Sequence, residues 1–202
     1  MEQNASAARG RSAVEEALIE AAADLLAEMG PTRVSLRDIA NRAGVNKGQI
    51  HHYFGGKQPL IEAAFRRVAT EHFHNAQQRG GGGLPVPLTL GLDQRYLQAV
   101  VRIVLDGDLD TARLEFDENI SIPRAALAQL TEITGLEEPD RQLKAEFAAV
   151  MAMELGWAAF APFIQMAVEA DDPADVEDII ARLRSQAAAT LSMISERGDT
   201  GG

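Results

Sequence analysis

Between residues 35 and 56 the chain carries two helical stretches too short to stand alone, Ser35 to Ala43 and Asn46 to Phe54, joined through Gly44 and closed by Gly55-Gly56. Isolated helices below about 12 residues are marginal in water, so this pair holds only if its members pack on each other and on neighbours. The Ser35 hydroxyl is placed to accept from the amide of Asp38 and start the first stretch. Gly44 follows Ala43 and supplies the left-handed backbone that ends it and turns the chain steeply. Ile39, Ala40, Ala43, Val45 and Ile50 are the apolar positions of the corner, and the two alanines allow close approach. This length and turn chemistry is that of a helix-turn-helix.

The second helix has an unusual outer face. With Ile50 taken as inward and about 100° per residue, Gly48, Gln49, His51 and His52 project outward, Phe54 turns inward, and Lys47 and Tyr53 flank the face. A solvated helix in an acidic protein more commonly carries Glu, Lys and Ala, and an interior glycine costs about 1 kcal/mol relative to alanine. An outward Gly48 lets the backbone approach base edges, Gln49 has the amide pair that suits adenine, and Lys47 offers a donor to guanine or phosphate. Tyr53 and Lys57 stand where backbone contacts would anchor the helix.

The charge distribution agrees. The whole chain has a formal net charge of −11, yet residues 1–80 hold ten Lys and Arg against nine Asp and Glu, and residues 30–67 hold seven against two. A basic window on an acidic body is what meets phosphate while the remaining surface repels it.

The run Ser35-Leu36-Arg37-Asp38-Ile39-Ala40-Asn41-Arg42-Ala43-Gly44-Val45-Asn46-Lys47-Gly48-Gln49-Ile50-His51-His52-Tyr53-Phe54, with Lys57 and Leu60 after it, resembles the DNA-binding motif of TetR-family repressors. The resemblance covers about residues 12–65. It implies that Lys47, Gly48, Gln49, His51, His52 and Tyr53 face DNA, and that Lys57 and the start of the first motif helix, Ser35 and Arg37, meet phosphate together with the cap residue Asn46. His51 departs from the family, which usually has Tyr or Phe there, so its contact is left open. The resemblance further implies a homodimer joined through the last two long helices, a palindromic operator in double-stranded DNA, and a pocket for a small-molecule inducer.

The rest of the chain reads as helical. Alanine and leucine are prominent, aromatics make up 5%, and strand-forming runs are scarce. The expected architecture is all-α with about nine helices: an N-terminal three-helix helix-turn-helix domain and a larger helical ligand-binding and dimerisation domain. Residues 1–11 read as a disordered arm in which Arg9 and Arg11 are candidates for phosphate, 12–56 as the DNA-binding domain, 57–196 as the second domain with 57–79 a shared connecting helix, and 197–202 as a tail. Ser12 and Glu15 form a capping-box signature, after which Leu18, Ala22, Leu25, Leu26 and Met29 recur at helical spacing up to Gly30-Pro31. Gly80 to Gly83, followed by Leu84-Pro85-Val86-Pro87, reads as a flexible loop. Further helices are expected over 92–105, 109–119, 123–134, 140–169, with a kink at Pro162, and 173–196, where Val176, Ile180, Leu183, Ala187, Leu191 and Ile194 form one stripe.

Other chemistries are poorly served. No nucleophile elbow, phosphate loop or zinc motif occurs, and no catalytic residue is assigned. A small-substrate enzyme of helical fold without DNA binding is the alternative, and a helical adaptor would have no use for the basic window. His51, His52, His72 and His74 do not form a metal set, since the last two point to different sides of a helix and the chain has no cysteine. Asp106-Gly107-Asp108-Leu109-Asp110 resembles the start of a calcium loop, but Thr111 and Asp117 occupy the positions that need Gly and Glu. It reads instead as a loop and helix cap, and no cofactor is expected. For a ligand, Phe116, Met151, Glu154 and Trp157 are the candidates, being bulky or ionisable groups on Ala-rich helices. No uninterrupted run of eighteen apolar residues and no signal-like apolar core near Glu15, Glu16, Glu20 and Asp24 point to a cytoplasmic protein without a membrane partner. Movement of the shared helix by ligand, changing the separation of two recognition helices, is the expected mechanism.

Overall fold

The computed structural model describes residues 2–81 and 84–199, with the side chains of 2–10 and 197–199 outside the description. The calls on Arg9, on Gly82 and Gly83, and on most of the tail therefore fall outside it. Among the described residues there are nine α-helices and no strand: α1 (Glu2–Met29), α2 (Leu36–Ala43), α3 (Lys47–Phe54), α4 (Lys57–Gly80), α5 (Gln94–Leu105), α6 (Leu109–Asp117), α7 (Ile122–Ile133), α8 (Arg141–Ala167) and α9 (Pro173–Asp199), with a 3-10 turn at Leu90–Leu92. The all-α expectation holds.

Local chemistry sets most of the boundaries. The Asp108 and Asp140 side chains accept from the amides of Thr111 at 3.2 Å and Leu143 at 2.7 Å, opening α6 and α8. For α7 the cap is Ser121, and Pro123 falls within the first turn, where its missing N–H costs nothing. Helix α8 continues through Pro162 to Ala167. The start of α1 is a correction: Ser12 does not open it, because the helix is already under way from Glu2. The physical reason is that residues 2–9 contain Ala, Glu, Gln and Arg, which helices accept readily, and the single Gly10 costs only about 1 kcal/mol.

Two compact units emerge, and no single cut in the chain separates them. One unit contains residues 1–72 and 95–118, the other residues 73–94 and 119–202. The second domain was expected to begin at Lys57, with 57–79 a connecting helix shared by both. Instead α4 as far as His72, together with α5 and α6, packs with the helix-turn-helix, because the partners that complete its core come from residues 95–118.

The core of the first unit is dense. Leu18 and Leu26 of α1, Ile39 of α2, Ile50 of α3, Leu60, Ile61 and Phe65 of α4 and Ile103 of α5 are fully buried. Arg67 of α4 bonds Glu16 at 2.5 Å and also Glu20, tying α4 to α1. Those bonds, that to Glu16 foremost, raise the guanidinium pKa further and keep it charged at any accessible pH. Arg95 of α5 reaches Glu20 at 2.7 Å, Asp24 at 3.0 Å and Glu71 at 3.5 Å. At the centre, the Tyr96 hydroxyl donates to buried Glu115 of α6 at 2.7 Å, while its ring stacks on His72 of α4 with centroids 4.1 Å apart. Burial, and then the neighbouring carboxylate, push the Tyr96 phenol far above its ordinary pKa, so it remains a donor.

The second unit is built differently. Its buried nucleus is Leu130 of α7, Leu143 of α8 and Ile194 of α9, with Leu84, Leu127, Phe147 and Leu191 packed against them. The connection before α5 is pinned from α8: the Glu154 carboxylate accepts from the amides of Leu88 and, at 2.8 Å, Leu90. Arg79 at the end of α4 pairs with Asp93, which also accepts from Asn75 at 3.2 Å.

Candidate nucleic-acid interface

The helix-turn-helix forms because each of its ends is chemically closed. At Ser35 the hydroxyl accepts from the Asp38 amide at 3.2 Å, and the Asp38 carboxylate accepts from the Ser35 amide at 3.1 Å and from its hydroxyl at 2.6 Å. Those bonds from Ser35, side chain first, hold the Asp38 carboxyl below its ordinary pKa. At the far end Gly44 takes φ +67°, its amide donates to Asn41 at 3.2 Å, and that of Val45 donates to Ala40 at 3.0 Å. A side chain rarely adopts that φ, and the paired bonds satisfy carbonyls that the helix end leaves orphaned. Ile39, Ala40 and Ile50 are buried at the corner, and Ala43 and Val45 are half-buried.

Helix α3 is capped in the same manner. The Asn46 side chain accepts from the Gly48 amide at 2.9 Å, and the Gln49 Oε1 accepts from the Asn46 amide at 3.3 Å. Gln49 thus has a second occupation that sequence reasoning missed, although Asn at the cap followed three residues later by Gln is a legible signal. Its Oε1 retains a further lone pair, so capping and pairing with an adenine edge are compatible.

Lys47, Gly48, His51 and His52 are exposed, and Gln49 and Tyr53 are half-exposed. The His52 and Tyr53 rings meet edge to face at 4.9 Å. A Cβ built on Gly48 would meet only the Asn46 Oδ1, at 3.4 Å. Nothing within the chain therefore demands glycine at this position. Ser35 and Arg37 are exposed at the start of α2, and Lys57 is half-buried at the start of α4.

The seven cations of the basic window divide into two groups. Arg42 makes a two-pronged bond to Glu28 of α1, both arms 2.9 Å; Arg66 pairs with Glu118, and Arg67 with Glu16 and Glu20. Arg33, Arg37, Lys47 and Lys57 form no ion pair among the described residues. These four are the charges available to an outside anion. Arg33 was not singled out from the sequence; its position two residues after Pro31 and two before the Ser35 cap was the available signal.

The four ligand candidates do not come together in one unit. Phe116 lies on α6 in the first, while Met151, Glu154 and Trp157 lie on α8 in the second. All four are half-buried. Glu154 is engaged with the backbone of the 88–90 segment, an occupation its helical position could not disclose. Among the described residues no cluster of three or more His, Cys, Asp or Glu has metal-binding geometry.

Comparison with known proteins gives this arrangement its setting. The family described as bacterial regulatory proteins, tetR family, matches residues 18–64, the span from the buried face of α1 to the first turns of α4. The chain is 29% identical over 180 residues to the HTH-type transcriptional repressor Rv3405c of Mycobacterium tuberculosis, covering 86% of this chain and 90% of that protein. It is 34% identical over 97 residues to the HTH-type transcriptional regulator BetI of Escherichia coli, covering 48% and 45%. In fold it is similar to a tetR-family transcriptional regulator from Streptomyces coelicolor, with a TM-score of 0.54, 20% identity, and coverage of 93% of this chain and 88% of that one. With its helix-turn-helix and these relatives, the chain reads as a DNA-binding transcriptional regulator whose residues 18–64 carry the TetR-family DNA-binding motif.

Proposed function

We propose that the chain is a homodimeric repressor that reads a palindromic operator with α3 and is released from it by a small molecule bound in the helical part beyond the DNA-binding unit. The observation that carries the reading is the outer face of α3. Gly48, Gln49, His51 and His52 offer a polar, nearly uncharged surface, and Lys47, Arg33, Arg37 and Lys57, which form no ion pair among the described residues, add cations within or beside the helix-turn-helix in the chain. Phosphate contacts position such a helix and base-edge contacts specify it. Gln49 is the specificity residue of this assignment, with Tyr53 and the two histidines beside it; Ser35 and Asn46 close the helix ends that bring backbone amides to phosphate.

Dimerisation is supported by the apolar side chains that α8 and α9 leave uncovered. Phe160, Phe163, Met166 and Met193 are 56%, 64%, 68% and 59% exposed. Helix α8 is long and apolar enough to cross a bilayer by length and composition alone, yet it carries Glu154 bonded to backbone amides near its middle. A second copy laying the same helices against it buries this surface in a four-helix arrangement. Two recognition helices then address half-sites about 34–36 Å apart on one face of the duplex. The protein acts in the cytoplasm, where that duplex is.

Repression, as opposed to activation, is supported by the name of the Mycobacterium tuberculosis relative. Ligand release is supported by the family and by Met151 and Trp157, half-buried on α8. Selection of bound fragments from genomic DNA followed by footprinting tests the reading. It should recover an inverted repeat protected on one face, upstream of genes whose transcription rises when the protein is deleted. Recovery of random fragments with no shared repeat would overturn it.

A further inference from the structure

The Asp106-Gly107-Asp108 corner between α5 and α6 does more than cap a helix. Its two sides grip two separate segments of the DNA-binding end. On one side the Thr32 amide, in the turn between α1 and α2, donates to the Asp106 carboxylate at 3.1 Å. The preceding Gly30 has φ +79°, and a Cβ on it would lie 3.0 Å from that carboxylate and 3.1 Å from the Arg102 Cβ, so the turn is seated against the end of α5. On the other side Gln58, in the first turn of α4, donates from Nε2 to the buried Thr111 hydroxyl at 3.0 Å, and that hydroxyl donates to the Asp108 cap at 2.8 Å.

Each gripped residue adjoins an uncommitted cation: Thr32 precedes Arg33, and Gln58 follows Lys57. Resting on the DNA-binding reading above, we propose that Asp106 and Thr111 are positioning residues for operator binding, fixing the spacing between Arg33, before the recognition helix in the chain, and Lys57, after it. Backbone bonds from Thr32 foremost, and then the fields of Arg33 and Lys57, hold the Asp106 carboxyl below its ordinary pKa, in keeping with this placement. A negative charge close to two phosphate-seeking cations would by itself weaken DNA binding, so its retention calls for a geometric benefit.

The full-length protein is tested by fluorescence anisotropy on a labelled random-sequence duplex over a range of salt concentrations, with a thermal melt of each variant. Asp106→Ala and Thr111→Val should each weaken binding roughly three- to tenfold, as loss of one ordering hydrogen bond implies, and flatten the salt slope by about 0.9, one phosphate contact. Asp106→Asn, which keeps an acceptor for the Thr32 amide, should recover the slope relative to Asp106→Ala. A lowered melting temperature with wild-type affinity and slope in Asp106→Ala and Thr111→Val would overturn the proposal. So would tighter binding by both Asp106 variants alike, which charge alone explains. Arg33→Ala and Lys57→Ala separate the levels. If neither weakens binding, the interface assignment itself fails and the proposal with it; if both do while Asp106→Ala and Thr111→Val do not, only the positioning role fails.

Discussion

The two units of this chain spend their apolar residues in opposite ways. In the first, eight large side chains from five helices are fully buried, and long-range ion pairs fasten α1, α4 and α5 around them. In the second, the 27-residue α8 buries only Leu143, while Leu155, Phe160, Phe163 and Met166 stand exposed along it. Large exposed apolar patches on a monomer commonly mark an interaction surface. The difference teaches that the first unit closes its core within one chain, whereas α8 and α9 leave apolar side chains uncovered, as the proposed homodimer requires.

The comparison breaks or holds first at Phe65, fully buried in the first unit. Phe65→Ala should cost about 3–5 kcal/mol of stability, read by denaturant unfolding, while Phe163→Ala on the open face should cost far less at concentrations too low for association. Equal losses would show that the two regions are not packed differently. Next in size, Phe160→Glu with Phe163→Glu should convert a sedimenting dimer to monomer and weaken binding to a two-half-site duplex by about a hundredfold or more, since the linked second contact is lost. A wild-type protein that sediments as a monomer at micromolar concentration would refute the association side of the contrast.

Within the first unit, Gly48→Ala separates stability from function. With no neighbour to clash and an exposed position inside a helix, alanine should stabilise by up to about 1 kcal/mol, yet it places a methyl group where the proposed interface brings the backbone to base edges. Operator affinity should fall while the melting temperature rises; a rise in both would remove Gly48 from the interface. The smallest expected effect is with pH. Glu16, Glu28 and Asp38 have carboxyls lowered by their bonds to Arg67, Arg42 and Ser35 respectively. A group whose folded pKa is depressed contributes stability that is present above its unfolded pKa and is lost as pH falls through the folded one. All three are solvent-exposed, so the first unit should melt at nearly constant temperature from about pH 5 to 8 and decline gently below about pH 4. A drop between pH 7 and 6 in a melt would contradict this assignment.

Much of this was legible in the residues. The α9 stripe of Val176, Ile180, Leu183, Ala187, Leu191 and Ile194 is buried or half-buried at every position, because a 3.6-residue period translates directly into one helix face. Ser35, Gly44, Asp108 and Asp140 act within three or four residues of themselves, so their roles as caps follow from local sequence. The candidate site was legible to the same extent: the outward set of α3 could be drawn from Ile50 alone. What could not be drawn was commitment. Seven cations in the window look alike as letters, and only their distances to Glu16, Glu20, Glu28 and Glu118, residues far off in the chain, show which four form no ion pair among the described residues.

Sequence alone determined most of the helices and caps, the helix-turn-helix and its outward face, since each depends on neighbours within a turn or two along the chain. Tertiary structure decided that α5 and α6 belong with the DNA-binding unit, that Glu154 holds a backbone segment, that Asp106 seats the turn at Thr32, and that α8 keeps its aromatic side chains uncovered. Those facts rest on pairings separated by tens of residues, and a side chain's partner across such a distance is set by how whole helices pack, which no local pattern encodes.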